Sequence, residues 1–274
     1  MKKIIDFYKM VAAGNDFVVV GEHLQAGSRE LAELARNMCD RKYGIGADGI
    51  LLIEKSKKAD AKMRIFNADG SEAEMCGNGA RCSALLTKEK TKSKKSKIIK
   101  IETKAGIIES EVNKENVKIK LTAPSGTKLN IPIKINNRTL KVNFVNTGVP
   151  HAVIFVEGLD KIEVDRLGRI IRYHPEFAPK GANVNFVEVL NDDFIKVRTY
   201  ERGVEAETLA CGTGSSASAI ITGIRQKKTG DRRIEAQTKS GEILKVYIEQ
   251  EKDRFKNVWL EGKAKLVYKG RYYV

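Results

Sequence analysis

No segment of this 274-residue chain approaches the ~20 consecutive apolar residues that a membrane helix requires. The amino-terminal stretch Met1-Lys-Lys-Ile-Ile-Asp6 is basic, but the nearest apolar run, Phe17-Val-Val-Val20, is too short for the core of a signal peptide. Cysteine is scarce: Cys39, Cys76, Cys82 and Cys211 show neither the close pairing of a zinc site nor the density of a secreted disulfide scaffold. These absences set aside a membrane partner, a bound metal and a disulfide framework. The expected compartment is the reducing cytoplasm.

The net charge is +15, from 50 Lys and Arg against 35 Asp and Glu. A basic balance of that size invites a nucleic-acid partner. The lysines are nevertheless spread along the chain among acidic residues. Their densest block, Lys88 to Lys100 with seven lysines, holds no aromatic side chain on which a base would stack. No nucleic acid is therefore expected, and the block reads as a solvated connection between a helix and a strand.

Length alone, at roughly 100–200 residues per domain, suggests two domains. Internal repetition points the same way. Gly14 and Gly148 lie 134 residues apart, as do Arg64 and Arg198, while Gly46-Ala-Asp48 and Gly181-Ala-Asn183 lie 135 apart. Glu72-Ala-Glu74 resembles Glu205-Ala-Glu207. Most telling, Cys76-Gly-Asn-Gly79 recurs as Cys211-Gly-Thr-Gly214, again 135 residues later.

Each half opens on apolar, β-branched runs, residues 3–8 and 17–20 in the first and 140–145 and 152–156 in the second. A helix is expected next, with Leu31, Leu34, Ala35 and Met38 on one face, and Leu167, Ile170, Ile171 and His174 at the same spacing in the second half. Strands follow at 50–53 and 63–66, and at 184–187 and 195–198. Helices over 80–86 and 215–224 are rich in small residues, as befits the centre of a domain. Alternating strands at 98–101, 117–121, 244–248 and 258–260 imply antiparallel sheet. Turn residues Pro124-Ser-Gly126 set the expected boundary, giving halves of 1–124 and 125–263, with 264–274 expected to pair back with the first half.

A thiol at a helix N-terminus sits beside unpaired N–H groups and the positive end of the helix dipole, which can lower its pKa from about 8.5 to about 3.5–7.5. Two such thiols, Cys76 and Cys211, suit paired acid–base chemistry. Glycine-rich helix starts also bind anions through bare N–H groups, and a phosphate or an amino-acid carboxylate fits equally well. A disulfide between the two would be an oxidation side reaction. Cys39, beside the first amphipathic stripe, and Cys82, inside a central helix, read as packing residues. His23 and His174 have no motif context and read as structural or exposed.

Gly14-Asn-Asp-Phe17, Phe66-Asn-Ala-Asp-Gly70, Met75-Cys-Gly-Asn-Gly-Ala-Arg81, Glu201-Arg-Gly203 and Ala210-Cys-Gly-Thr-Gly214, in that order and across essentially the whole chain, resemble the diaminopimelate epimerase family. The resemblance implies an α+β fold (mixed α/β) of two pseudo-symmetric domains, each a curled mixed or antiparallel sheet around a central helix. It implies a homodimer that needs no pyridoxal or other cofactor. The implied reaction interconverts L,L- and meso-diaminopimelate, in lysine and cell-wall precursor biosynthesis. Cys76 would be proton donor and Cys211 acceptor in the L,L to meso direction. His151 and Glu201 would tune the thiols, His151 by changing charge near neutral pH. The amides of Gly77, Asn78, Gly212 and Thr213 would hold the α-carboxylate. Asn15, Asn67, Asn183 and Arg202 would grip the distal end of this small-molecule substrate, and Glu201 would also be a substrate-binding residue.

Two positions depart from the family pattern: many members carry Gln where this chain has Gly49, and Asn where it has Val149. Both bear on how the substrate is gripped and leave the thiol pair untouched. A proline or hydroxyproline racemase of the same cysteine-pair type stands as the alternative, as does a thiol redox-switch protein. The first has no use for a distal clamp, and the second does not explain the repeated glycine-rich helix starts.

Overall fold

The structure, a computed structural model, describes residues 4–21, 24, 27–91, 97–135, 138–227, 230–251 and 254–274. His23 and three lysines of the basic block, Lys92, Lys94 and Lys95, lie outside the described residues. The chain forms two compact units, Met1–Ile119 with Gly262–Val274, and Lys120–Glu261. Among the described residues no helix is long and apolar enough to cross a membrane.

In chain order the first unit runs β1 (Ile4–Ala12), β2 (Asn15–Val20), α1 (Ser28–Cys39), β3 (Gly49–Glu54), β4 (Ala61–Asn67), β5 (Glu72–Ala73), α2 (Gly77–Thr91), β6 (Ile98–Thr103), β7 (Gly106–Asn113) and β8 (Asn116–Lys120). The second runs β9 (Ser125–Ile135), β10 (Arg138–Asn146), β11 (Pro150–Phe155), α3 (Val164–Arg172), β12 (Asn183–Asn191), β13 (Phe194–Glu201), β14 (Ala206–Thr208), α4 (Gly212–Arg225), β15 (Arg232–Gln237), β16 (Ile243–Glu251) and β17 (Arg254–Lys263). The last strand, β18 (Lys265–Tyr273), pairs antiparallel with β1 and so belongs to the first unit.

Both units have one mixed-sheet topology. The ladder β18-β1-β2-β3-β4-β6-β7-β8 has parallel pairs only at β2–β3 and β4–β6. The ladder β9-β10-β11-β12-β13-β15-β16-β17 has them at the matching places, β11–β12 and β13–β15. Each ladder wraps a central helix: α2 packs on β1, β2, β3, β4, β6 and β7, and α4 on β10, β11, β12, β13, β15 and β16. Ten consecutive residues are buried in α2, Asn78 to Thr87, and ten in α4, Gly214 to Gly223. A helix covered all round can have no wet face, which is why neither carries an amphipathic stripe. The hydroxyls of α4 are satisfied locally: Ser216, Ser218 and Thr222 donate to the carbonyls four residues back at 2.9, 2.7 and 2.8 Å.

Alternation along the strands divides the faces. Val18, Val20, Ile50, Leu52 and Phe66 pack with Leu31, Leu34, Ala35 and Met38 of α1. The intervening residues, Phe17, Val19, Leu51 and Ile65, point the other way, toward α2. In the second unit Ala152, Ile154, Val184, Phe186 and Tyr200 pack with Val164 and Ile171 of α3. His151, Asn183, Asn185, Thr199 and Glu201 take the opposite face, toward α4.

Three sequence expectations are corrected. The buried stripe of α3 is Val164, Gly168 and Ile171; Ile170 is exposed, and His174 lies past the helix, accepting the Glu176 amide at 3.2 Å. The centre of that stripe is a glycine, invisible to a hydrophobicity pattern. The repeated acidic residues pair differently as well. Arg64 makes a bidentate contact with Glu72, and Arg198 with Glu207, so Glu207 and not Glu205 is the counterpart of Glu72. Glu205 instead sits at φ 58° and braces the loop after β13, accepting from Gly203, Tyr200 and Arg172. Finally, the basic block begins inside α2. There Lys88 donates to the Val112 carbonyl at 2.6 Å and Lys90 lies over the Tyr8 ring, and at its other end Lys100 belongs to β6.

A β-carbon on Gly168 would lie 2.5 Å from the Tyr200 β-carbon. Alanine improves helix propensity by ~1 kcal/mol, but overpacking costs ~1–3 kcal/mol. Gly168→Ala is therefore expected to lower stability by ~1–2 kcal/mol, read as a lower urea midpoint at unchanged m-value. A raised midpoint would show that α3 and β13 have room to spare.

Candidate active site

In the first unit Cys76 is half-buried and precedes α2, its carbonyl accepting the first helical hydrogen bond from Ala80 at 2.8 Å. The Gly79 amide donates to Cys76 Sγ at 3.5 Å. A β-carbon on Gly79 would stand 2.9 Å from Leu51 Cδ2, so any larger residue there requires Leu51 to shift. Gly77 and Asn78 supply the first N–H groups of the helix, which have no intrahelical acceptor.

A chain of side chains fixes the polar wall beside this helix start. Arg81, wholly buried, donates to Asn78 Oδ1, and Asn78 Nδ2 donates to Asn15 Oδ1 at 2.7 Å. Asn15 Nδ2 in turn donates to Asp48 Oδ2 at 2.9 Å, and the Asp16 amide donates to the same oxygen at 3.1 Å. Arg41 then bridges Asp48 and Asp16 at 2.9 and 2.7 Å. Lys9 donates to Asp16 at 2.6 Å, and the cations hold the Asp16 carboxyl below its ordinary range against the opposing effect of burial. Asn67 is exposed at the end of β4 and donates to Ser71 Oγ at 2.9 Å. It pairs across the ladder with Gly49, where a β-carbon would lie 2.6 Å from the Phe66 carbonyl oxygen. Asn15, Asn78, Gly77 and Cys76 are thus joined by one bonded network or one helix start, and Asn67 stands apart from it.

The second unit repeats the helix start with different surroundings. Cys211 caps α4 and is buried; its carbonyl accepts from Ser215 at 2.9 Å, and its Sγ lies 3.5 Å from Thr213 Oγ1. Burial and the Glu201 carboxylate push the thiol well above its usual range, against the hydrogen bonds from Thr213 and the Gly214 amide. This overturns the expectation of a depressed pKa at this helix start. The helix-start donors are present, but desolvation outweighs them. Glu201 accepts from Thr208 Oγ1 at 2.7 Å, and burial raises its own pKa despite the hydrogen bonds from Thr208 and Cys211.

His151 is wholly buried on β11, and burial together with Arg202 pushes its pKa down to about 3. It therefore stays neutral through the physiological range, contrary to the expectation that it changes charge there. Asn183 accepts from the Arg202 amide at 2.8 Å and donates to the Pro150 carbonyl at 3.2 Å, tying the Arg202 loop to the start of β11. Arg202 borders a cavity of about 400 Å³ lined also by Phe144, Pro150, Phe177, Pro179 and Lys180. Gly212 and Thr213 open α4 as Gly77 and Asn78 open α2. Val149 accepts from the Thr147 amide at 3.1 Å in the turn before β11. Cys39 and Cys82 are buried, and desolvation pushes both thiols up to about 12, as expected of packing residues.

Asp48, Asn185, Thr199 and Thr208 touch these side chains and were missed by the motif reading. Alternation could have found Asn185, two residues beyond Asn183 on the same strand face. Thr208 and Asp48 depend on hairpin and loop geometry that spacing does not encode.

Because the folded pKa of His151 lies far below its ordinary 6.5, the unfolded chain binds a proton between about pH 6.5 and 3 that the folded chain does not. Its contribution is full above about pH 6.5 and is lost as pH falls toward about 3. Lowering the pH from 6.5 to 5 should therefore destabilise the protein by ~1–2 kcal/mol more than it destabilises His151→Gln, read from urea unfolding at each pH. Parallel pH dependence in the two proteins would mean that the folded imidazole takes up a proton.

The family model described as diaminopimelate epimerase matches residues 7–126 and 143–267. The chain is 43% identical over 277 residues to the diaminopimelate epimerase of Hydrogenobaculum sp. (strain Y04AAS1), covering 96% of each. It is 42% identical over 288 residues to that of Aquifex aeolicus (strain VF5), covering 97% of each. Among solved structures, a Bacillus anthracis phenazine biosynthesis protein of the PhzF family superposes with a TM-score of 0.77 at 18% identity, covering 99% of this chain and 100% of that one. A hydroxyproline epimerase from Agrobacterium vitis with bound trans-4-OH-L-proline gives 0.73 at 15% identity, covering 99% and 92%. At such identities the structural likeness shows the fold alone, whereas the sequence match spans both units and both cysteine elements: this chain belongs to the diaminopimelate epimerase family.

Proposed function

We propose that this protein is an isomerase that interconverts L,L- and meso-diaminopimelate in lysine biosynthesis, with Cys76 and Cys211 as its acid–base pair. The observation that carries the reading is the duplicated helix start, in which a cysteine, a glycine three residues on and unpaired amides recur in two units of one topology. Inverting a carbon centre needs a base on one face and an acid on the other. One thiolate removes the α-proton, breaking Cα–H and forming S–H. The other thiol delivers its proton to the opposite face, forming the new Cα–H bond and becoming thiolate. A carboxylate bound at the helix-start amides of Gly77, Asn78, Gly212 and Thr213 helps stabilise the charge that develops between these steps.

Cys211 rests as the thiol. In that protonation state it is the donor, and the L,L to meso direction, in which it accepts, begins with the proton on Cys76. The two thiols titrate as a unit. Asn15, Asn67, Asn183 and Arg202 serve the distal amino-acid end, with Arg202 giving a planar fork to its carboxylate, while Glu201 lies against Cys211. The family supports a homodimer working in the cytoplasm. Gly49 leaves no room for a side chain at its place without a backbone shift, so the grip on the substrate differs there from members with a longer residue.

The test is proton NMR of L,L-diaminopimelate in deuterated water with protein and reductant, beside a tube of proline. Loss of the α-proton signal with growth of the meso isomer, in the first tube only, is expected; exchange with proline alone would move the substrate to the cyclic imino acids. Cys76→Ala and Cys211→Ala should each lower kcat by ~10²-fold or more, since acid–base catalysis contributes ~10²–10⁴-fold. Full activity in either would sink the two-thiol mechanism. Arg202→Lys keeps the charge and loses the fork, so KM should rise by ~10-fold or more with kcat less affected.

A further inference from the structure

The shared ladder register makes each unit a control for the other. Gly49 pairs with Phe17 and Leu51 with Ile65 in the first unit; Asn183 pairs with His151 and Asn185 with Thr199 in the second. Phe17, Leu51 and Ile65 under α2 thus correspond to His151, Asn185 and Thr199 under α4. Leu51 is the side chain nearest a β-carbon on Gly79, and Asn185 is the one nearest a β-carbon on Gly214. An apolar triad in one unit is a buried, hydrogen-bonded polar triad in the other. Burying such groups is unfavourable unless every one is bonded. The polar version is therefore not a requirement of the fold.

The hydrogen bonds fix where the protons are. Asn185 Nδ2 is 3.0 Å from the Ala152 carbonyl oxygen and 3.1 Å from His151 Nδ1. A carbonyl oxygen only accepts, so the atom facing it is the amide nitrogen, and the orientation of the Asn185 amide is settled. Thr199 Oγ1, 3.0 Å from Asn185 Oδ1, donates to it and holds that orientation. Nδ2 therefore presents its second hydrogen to His151 Nδ1, which has to be the lone-pair nitrogen. The ring proton is left on Nε2, which is buried and without a hydrogen-bond partner among the described residues.

We propose that Asn185, braced by Thr199, is a positioning residue that locks neutral His151 in the tautomer protonated on Nε2, so that this imidazole gives a hydrogen bond during turnover and cannot act as a base. The ring has one lone pair in its plane, and Asn185 occupies it. The assignment rests on the role of His151 in the isomerase reading. It narrows that role to a fixed neutral donor, which stabilises an anion such as a thiolate without exchanging a proton with it.

Labelling the protein with 15N-histidine leaves three histidines to observe, and the spectrum of His151→Gln identifies the signals of His151. Long-range proton–nitrogen spectra at neutral pH should show a bare Nδ1 and a protonated Nε2. Asn185→Leu, which places in the second unit the side chain that the first unit has at Leu51, should let the other tautomer appear. It should also lower kcat for α-proton exchange by about tenfold or more with KM little changed. Thr199→Val, which removes only the hydroxyl, should move both readouts in the same direction and serves if Asn185→Leu does not fold. A wild-type proton on Nδ1, or a folded Asn185→Leu protein with a single Nε2–H tautomer and full kcat, would overturn the lock. Absence of exchange by the unmodified protein would instead remove the reaction and leave the tautomer result standing.

Discussion

The first amides of α2 and α4 have no carbonyl partners within their helices, and both helices are buried for most of their length. Unpaired donors inside a protein must find acceptors or face an opening. At Cys76 and Cys211 the nearby sulfur takes one amide, from Gly79 and from Gly214, and of the residues ahead of it Gly77, Gly212 and Thr213 stay half-buried while Asn78 is buried. Crowding acts at the same places, since a β-carbon on the glycine three residues after each cysteine would meet Leu51 in one unit and Asn185 in the other. A buried helix start is therefore at once a structural problem and an anion site, and the cysteine is where the two meet.

Around this common element the units diverge in the chemistry they place beside the thiol. The first surrounds it with a network of amides and cations running Arg81, Asn78, Asn15, Asp48, Arg41, on an apolar floor of Leu51 and Ile65. The second gives it a buried carboxylate, Glu201, on a polar floor of Asn185 and Thr199, where Asn185 also bonds the neutral His151 imidazole. Two copies of one scaffold thus set a thiol in unlike surroundings, and at Cys211 burial and the Glu201 carboxylate favour the protonated form.

Much of this was legible before any coordinates. The strands, α1 and the two central helices follow from β-branched runs, a 3.6-residue stripe and small-residue composition, because burial in each case is written in side-chain type. Gly168 broke that logic: its contact with Tyr200 works through the absence of a side chain. The cysteines, Asn15, Asn78 and Asn183 stood out by motif and fell on bonded networks. The charge states did not stand out. His151 and Cys211 each carry a local feature pointing one way, while complete burial, a property of the whole fold, acts the other way and wins.

Burial acts on Glu201 and Cys211 together, and its effect on the pair differs from its effect on either alone. Each is raised, and each is hydrogen-bonded to the other. Two anions side by side in a desolvated site would repel strongly, so the pair holds one negative charge and one shared proton. With the charge on Glu201, Cys211 is a thiol that can donate. With the proton on Glu201, Cys211 becomes a thiolate that can accept. Burial acts on both groups in the same direction, and the charge they share disfavours a second one beside it. The carboxylate therefore disfavours the Cys211 thiolate while it is ionised, and once it takes a proton that opposition is lifted.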